Sequence, residues 1–338
     1  MSKINPSQFF DDDDVYEDRR MSREQQTAPK RGRQIERVSQ SVADQQDRSE
    51  SMRFSYHASR HEREWIVNSL GNFYDLHWFS DVLRLIQGGK EASVYLCRAD
   101  ETVTAKYLAA KIYRPRKFRN LKNDHLYREG RGELGADGLA LLNGGMQHAM
   151  RKRTTFGLEL LHASWIAHEV KTLNLLHAAG VDVPRVYASG DNAILMEYIG
   201  DENLAAPVLN SLDLERREAQ RLFERLLWNI ELMLANQRVH GDLSAFNILY
   251  WQGSATLIDF PQAISPHENR NAYWIFQRDV RRICEYFSAQ GVRCEAAKIS
   301  RDLWTAQHLK IAPELDPRWL DDANEADMAY WKKSQRKS

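Results

Sequence analysis

The segment His240-Gly241-Asp242-Leu243-Ser244-Ala245-Phe246-Asn247 constrains this chain more than any other. It follows an amphipathic stripe made by Ala219, Leu222, Phe223, Leu226, Leu227, Ile230, Met233 and Leu234, with Asp213 as the expected N-cap. Two short apolar runs come next, NILYW and ATLIDF, separated by the turn residues Gln252-Gly253-Ser254. An Asp and an Asn five apart in a tight loop share one region of space, and Asp259 arrives on the following hairpin twelve positions after Asn247. One carboxylate of such a set can accept a hydroxyl proton while the amide and the other carboxylate hold Mg²⁺. That ion prefers oxygen ligands and keeps several waters, so two protein ligands plus phosphates suffice. Asx-turns alone would explain either motif singly, but not both at this spacing behind a long helix.

The first half carries complementary parts. VLRLIQ and ASVYLCRA read as strands around Gly88-Gly89, where the lack of Cβ atoms allows backbone to approach a phosphate. YLAAKIY (107–113) reads as a third strand, and Lys111 is out of place in it unless its ammonium has a partner. The helix from Leu158 to Ala178 ends at Gly180 and carries Glu169 on an apolar stripe with Trp165 and Leu173. The two misfits satisfy each other if Lys111 pairs with Glu169; the alternative is Lys111 reaching solvent and Glu169 at the stripe's edge. RVYASG and AILMEYIG are strands around a turn at Asp191-Asn192, and Asp302 to His308 looks helical. The pattern from Trp65 to Val82 has helical spacing broken at Gly71. A strand-rich half and a helix-rich half suggest two lobes joined near Ile199-Gly200.

Composition narrows the alternatives. In 338 residues, 47 Lys+Arg balance 47 Asp+Glu, which argues against a general nucleic-acid-coating protein. Cys97, Cys284 and Cys294 are odd in number and form no C-x-x-C, excluding a disulfide framework and a Cys-rich zinc site and favouring a reducing compartment. No apolar h-region opens the sequence and no run of 18 apolar residues follows, so a cytoplasmic location off the membrane is expected. Residues 1–60 run from the acidic Asp11–Asp14 through a basic stretch at 19–37 without apolar periodicity, and are expected to form a disordered charged tail. His57 and His61 lack a third ligand at metal spacing and read as solvated.

The order phosphate loop, strand Lys, helix Glu, hinge, H-x-D-x-x-x-x-N and D-F is that of the protein-kinase-like fold. Within it the chain resembles the RIO family of atypical serine/threonine protein kinases. The resemblance runs through GGKEASVY (88–95), AAKIYR (109–114), WIAHEVKTL (165–173), LMEYIG (195–200), HGDLSAFNILY (240–250), LIDFPQAI (257–264) and QRDVRRICEYF (277–287). It implies an α+β, bilobal, protein-kinase-like fold. A β-rich N-lobe at 61–200 would hold the phosphate loop and a long flexible insertion. A mainly helical C-lobe at 201–310 would hold the catalytic and metal loops, with an extension at 311–338.

The resemblance also implies roles. Asp242 would orient or deprotonate the attacking hydroxyl, and Asn247 and Asp259 would bind Mg²⁺, or Mn²⁺ in its place. Lys111, held by Glu169, would contact the α- and β-phosphates of ATP. Gly88, Gly89, Lys90 and Ser93 would line the phosphate loop, and backbone groups of Glu197 and Ile199 would hold adenine. Asp259 can become phosphorylated in this family, so an ATPase cycle through an aspartyl-phosphate stands beside Ser/Thr kinase activity.

Departures are visible as well. The 58 positions separating Lys111 from Glu169 contain ELGADGLALLNGGMQHAM, which looks inserted. Gly241 stands where ordinary kinases have Arg, and Ala312-Pro313-Glu314 lies too far past Asp259 to close an activation segment. An aminoglycoside- or choline-kinase type of phosphotransferase shares HGD-x-x-x-x-N but is disfavoured by GGKEASVY and IDFPQ. A third reading is a nucleotide-gated ribosome-assembly factor, with the basic 19–37 segment contacting RNA or a ribosomal particle.

Overall fold

A computed structural model describes residues 52–311, apart from 115–131, 136, 137, 142, 153, 191 and 270. The basic 19–37 segment, Asp191 and Ala312-Pro313-Glu314 lie outside the described residues. The chain divides into two compact units, one formed by the residues up to 119 together with Tyr187–Tyr198, the other by residues 120–186 together with those from Ile199 onward.

The first unit is a five-stranded antiparallel sheet with one helix. Helix α1 (Arg60–Asp75) starts at Ser59, whose hydroxyl accepts from the Glu62 N–H, and buries Ile66, Val67, Leu70 and Phe73. The strands β1 (Phe79–Gly88), β2 (Ala92–Ala99), β3 (Tyr107–Tyr113), β4 (Val186–Ser189) and β5 (Ala193–Glu197) are ordered β1-β2-β3-β5-β4. Trp78, Phe79 and Val82, expected to continue the helical pattern, instead enter or flank β1: the helix stops at Asp75, and His77 takes a positive φ of 57° to turn the chain. Phe79, Val82, Cys97, Leu108, Ala110, Ile112 and Leu195 make the core against α1.

Part of the expected tail is ordered. Phe54 bridges Val82 in parallel, and the Tyr56 N–H donates to the Val82 carbonyl at 2.9 Å. The buried Asp81 carboxylate accepts from the Ser55 N–H at 2.8 Å and its hydroxyl at 2.6 Å. Buried Glu62 accepts from the hydroxyl of Tyr95 at 2.8 Å and of Tyr56 at 3.2 Å. Two carboxylates that would be costly to bury alone are thus satisfied in part by residues 55 and 56.

The second unit begins with α2 (Gly144–Lys152) and α3 (Thr155–Ala178). Helix α2 lies in the stretch read from sequence as a loop. It buries Met150 and meets α3 at Gly157, where a Cβ would come within 2.0 Å of the Ala149 carbonyl oxygen. Helix α4 (Arg216–Ala235) starts two residues later than Asp213 would require as N-cap: its cap is Glu215, without a side-chain capping bond. The hairpin β6 (Ile248–Trp251) and β7 (Ser254–Leu257) turns through Gln252 and Gly253, both at positive φ, as a two-residue hairpin requires. Helices α5 (Ala272–Ala289) and α6 (Ala296–Ala306) complete the unit, earlier in the chain for α6 than the expected Asp302 start. Leu226, Ile230, Leu257, Ile275, Ile283 and Phe287 centre a core shared by α4, the hairpin and α5. Among the described residues no helix is long and apolar enough to cross a membrane.

Candidate active site

In the first unit, Gly88 and Gly89 close the β1–β2 connection, with Gly88 opposite Ser93 in the ladder. A Cβ on Gly89 would lie 3.0 Å from the Ala92 carbonyl oxygen, at the limit of what backbone tolerates. The loop is braced by Arg114, just past β3. Its Nε donates to the Gly89 carbonyl at 2.9 Å, Nη2 to the Ser93 hydroxyl at 3.2 Å, and its backbone N–H to the Glu91 carbonyl at 2.9 Å. The guanidinium stacks 5.2 Å over the Trp65 ring. Ser93 is buried and turned to this arginine, whereas Lys90 is exposed at the tip. Lys111 is half-buried, faces Val94 and Ile194 in the ladder, and sets its Nζ 5.1 Å over the Tyr113 ring. Glu197 ends β5 opposite Leu108.

In the second unit, Glu169 is buried within α3. Lys111 and Glu169 therefore belong to different units. The Ile199 carbonyl accepts from the Ala206 N–H at 2.9 Å.

The unit also gathers the 240–247 loop and its supports. A 3₁₀ turn at Ala245–Asn247 folds the loop back so that the Asn247 Nδ2 donates to the Asp242 carbonyl at 2.9 Å and to its Oδ2 at 3.3 Å. His240 is buried against Phe260, with ring centroids 4.4 Å apart. Its Nδ1 accepts from the Asp242 N–H at 3.3 Å and its Nε2 lies 3.1 Å from the Ile258 carbonyl, an arrangement satisfied by the neutral Nε2–H form. Gly241 has φ +86°, and a Cβ there would stand 2.2 Å from the Gln262 carbonyl oxygen. The two loops are also joined by the Ile258 N–H donating to the Asn247 carbonyl at 3.0 Å and by paired bonds between Val239 and Ile264. Asp259 itself adopts φ 70°, a left-handed conformation costly for a residue with a Cβ.

Helix α5 grips this loop through residues of the QRDVRRICEYF segment to which the sequence alone assigns no role. Asp279 is buried and its Oδ2 accepts from the Gly241 N–H at 2.8 Å. Arg278 donates to the Gly241 carbonyl and lies 3.4 Å from Asp279. Burial pushes the Asp279 carboxyl above the ordinary carboxylate range; Arg278 and Arg282 pull against the rise and Asp242 adds to it. One turn on, Arg282 Nη1 donates to Asp242 Oδ1 at 2.9 Å. The signal for Asp279 was present in the sequence. It sits on the stripe of Ile275, Phe276, Val280 and Ile283, the same misfit that singled out Glu169.

The donor chemistry suits a hard divalent ion. With Nδ2 turned to Asp242, the Asn247 Oδ1 is the amide atom left for a cation, and Asp259 adds carboxylate oxygens. Among the described residues no group of three or more His, Cys, Asp or Glu could hold a metal ion. Phe246, 62% exposed, stands beside this set in the same turn.

Comparison with known proteins matches residues 143–299 to the RIO domain family model. The serine/threonine-protein kinase rio1 of Schizosaccharomyces pombe is 26% identical over 217 residues, covering 64% of this chain and 40% of that protein. The serine/threonine-protein kinase RIO1 of Chaetomium thermophilum is 27% identical over 266 residues, covering 75% of this chain and 47% of that protein. The RIO-type serine/threonine-protein kinase Rio1 of Haloferax volcanii is 30% identical over 128 residues, covering 38% and 43%. The chain thus spans less than half the length of these relatives.

Proposed function

We propose that this chain, which is similar over residues 143–299 to the RIO domain family model and to RIO serine/threonine-protein kinases, transfers the γ-phosphoryl group of ATP, with Mg²⁺, to serine or threonine hydroxyls of a protein. The reading rests chiefly on one observation: Asp242 and Asn247 are held against each other in a loop that Asp279 and Arg278 fix at Gly241. Asp242 accepts or orients the hydroxyl proton, and Asn247 Oδ1 and Asp259 hold the ion. When bound, Mg²⁺ neutralises charge on the phosphates. Lys111 contacts the α- and β-phosphates, and the 88–93 loop covers them. Backbone groups of Glu197 and Ile199 hold adenine.

Asp259 is also the proposed acceptor in an ATPase cycle. A carboxylate oxygen attacks the γ-phosphorus, the bond to the β-phosphate oxygen breaks, ADP leaves, and water then releases inorganic phosphate from the aspartyl-phosphate.

Radiolabelled ATP with Mg²⁺ tests both arms. The protein is expected to label itself or a model protein, and Asp242→Ala to abolish acid-stable label while calorimetric ATP affinity survives. Hydroxylamine-labile label that disappears in Asp259→Asn marks the ATPase arm. Absence of ATP binding by the wild type would remove the reading altogether.

A further inference from the structure

Three residues on one face of α5 reach two adjacent residues of the 240–247 loop, Gly241 and Asp242. Arg278 donates to the Gly241 carbonyl, Asp279 accepts from the Gly241 N–H, and Arg282 donates to the Asp242 carboxylate. The first two are buried and fix backbone. Arg282 differs: its side chain is 22% exposed, that of Asp242 is 42% exposed, and it touches the functional group itself.

The loop from His240 to Asn247 contains no Lys or Arg, and Arg282 of α5 sets a guanidinium against the Asp242 carboxylate. Oδ1 is held by Arg282 and Oδ2 by Asn247 Nδ2 at 3.3 Å. The carboxylate is thus fixed at both oxygens, by a strong charge-assisted bond on one side and a longer amide bond on the other. Removing the guanidinium leaves the carboxylate free to turn about χ1 and χ2. Its remaining partner is then Asn247, the amide whose oxygen is needed for the metal.

We propose that Arg282 is the positioning residue for phosphoryl transfer: it holds the Asp242 carboxylate in the orientation that receives the hydroxyl proton, and keeps Asn247 available to the ion. The inference rests on the phosphotransfer reading above and deepens it.

Arg282→Gln and Arg282→Lys in the full chain test it. Arg282→Gln is expected to lower kcat roughly 10- to 100-fold, as a misplaced catalytic group does, with KM for ATP unchanged. Arg282→Lys, which keeps the charge but not the planar fork, should recover part of the loss. In an Asp242→Asn background the glutamine change should cost no further activity, because the two residues act as one unit.

A second measurement does not depend on turnover. The side-chain amide resonances of Asn247, assigned by their loss in Asn247→Asp, should shift in Arg282→Gln and return towards their wild-type positions in Arg282→Lys. A wild-type kcat in Arg282→Gln, or unmoved Asn247 resonances in a variant that still melts like the wild type, would overturn the assignment. A wild type that binds ATP and transfers phosphate while Arg282→Gln does so equally well sinks this inference alone. A wild type that transfers none sinks the reading beneath it.

Discussion

Gly241 and the backbone of Gln262 are packed so closely that no side chain fits between them: a Cβ at position 241 would stand 2.2 Å from the Gln262 carbonyl oxygen and 2.9 Å from its carbonyl carbon. The contact couples two stretches that are 21 positions apart, H-G-D and D-F-P-Q. The glycine in the first motif is therefore a requirement of the second. Its φ of +86° adds an independent reason, since that conformation is strained for any residue with a Cβ.

Gly241→Ala is accordingly expected to be severe. Left-handed strain of about 1–2 kcal/mol adds to a backbone clash that only a shift of the 258–262 loop can relieve, for a total of roughly 3 kcal/mol or more. Urea unfolding of the variant measures it. A loss within about 0.5 kcal/mol, the range of an innocuous surface change, would contradict the close approach.

Asp182, which follows α3, ties that helix to α4. It accepts from Arg225 Nε at 2.7 Å and Nη2 at 2.8 Å and from Asn229 Nδ2 at 2.7 Å, while Asn229 Oδ1 takes the Asp182 N–H. Burial pushes the Asp182 carboxyl up, but the hydrogen bonds from Arg225 and Asn229 outweigh it and hold the group below the usual carboxylate range. A depressed carboxylate stabilises the fold above its unfolded pKa of about 3.9 and loses that contribution as pH falls towards the folded value. Unfolding free energy measured by urea between pH 6 and pH 2, a window on the order of the carboxylate titration range, should fall more steeply for the wild type than for Arg225→Gln. Parallel curves would count against the network. Asn229→Ala, which removes a fully buried amide and strands its partners, should cost about 1–3 kcal/mol at neutral pH.

The thiols should separate by burial. Burial raises the Cys97 thiol far above its ordinary range, with Asp81 adding to the effect, and burial with the neighbouring Cys294 pushes Cys284 up to about 12. Thiolates are the reactive form, so both should resist an aromatic disulfide reagent in the folded protein. Cys294, half-buried, should react first. Peptide mapping after brief exposure checks the order; modification of Cys97 ahead of Cys294 would refute it.

Much of the fold was legible because its signals are local. Gly88-Gly89 between alternating runs, the LAAKIY strand, the α3 pattern ending at Gly180 and the Gln252-Gly253 turn each follow from periodicity or from a φ that glycine permits. What was missed depends on partners far along the chain. Residues 52–59 look like polar tail by composition, yet Ser55 and Tyr56 are ordered by Asp81, Glu62 and the edge of β1. Helix α2 is too short and polar to announce itself, and it is held by contact with Gly157. Arg114 looked like the end of a strand motif, and only the folded β1–β2 connection shows it bracing Gly89 and Ser93.

The order of residue types along the chain was enough to point to one loop and the hairpin after it, because Asp242, Asn247 and Asp259 sit at spacings that a short turn and two strands join: Asn247 bonds Asp242, and the Ile258 N–H bonds the Asn247 carbonyl. Which groups hold that loop in place was decided by tertiary structure alone. Arg278, Asp279 and Arg282 lie 36 to 40 positions beyond Asp242, and although Asp279 stands out on the apolar stripe of its helix, nothing local says which loop the three reach. Their role exists only once α5 has packed beneath the loop. Burial then makes an unpaired carboxylate or guanidinium expensive, so each group must find its partner there.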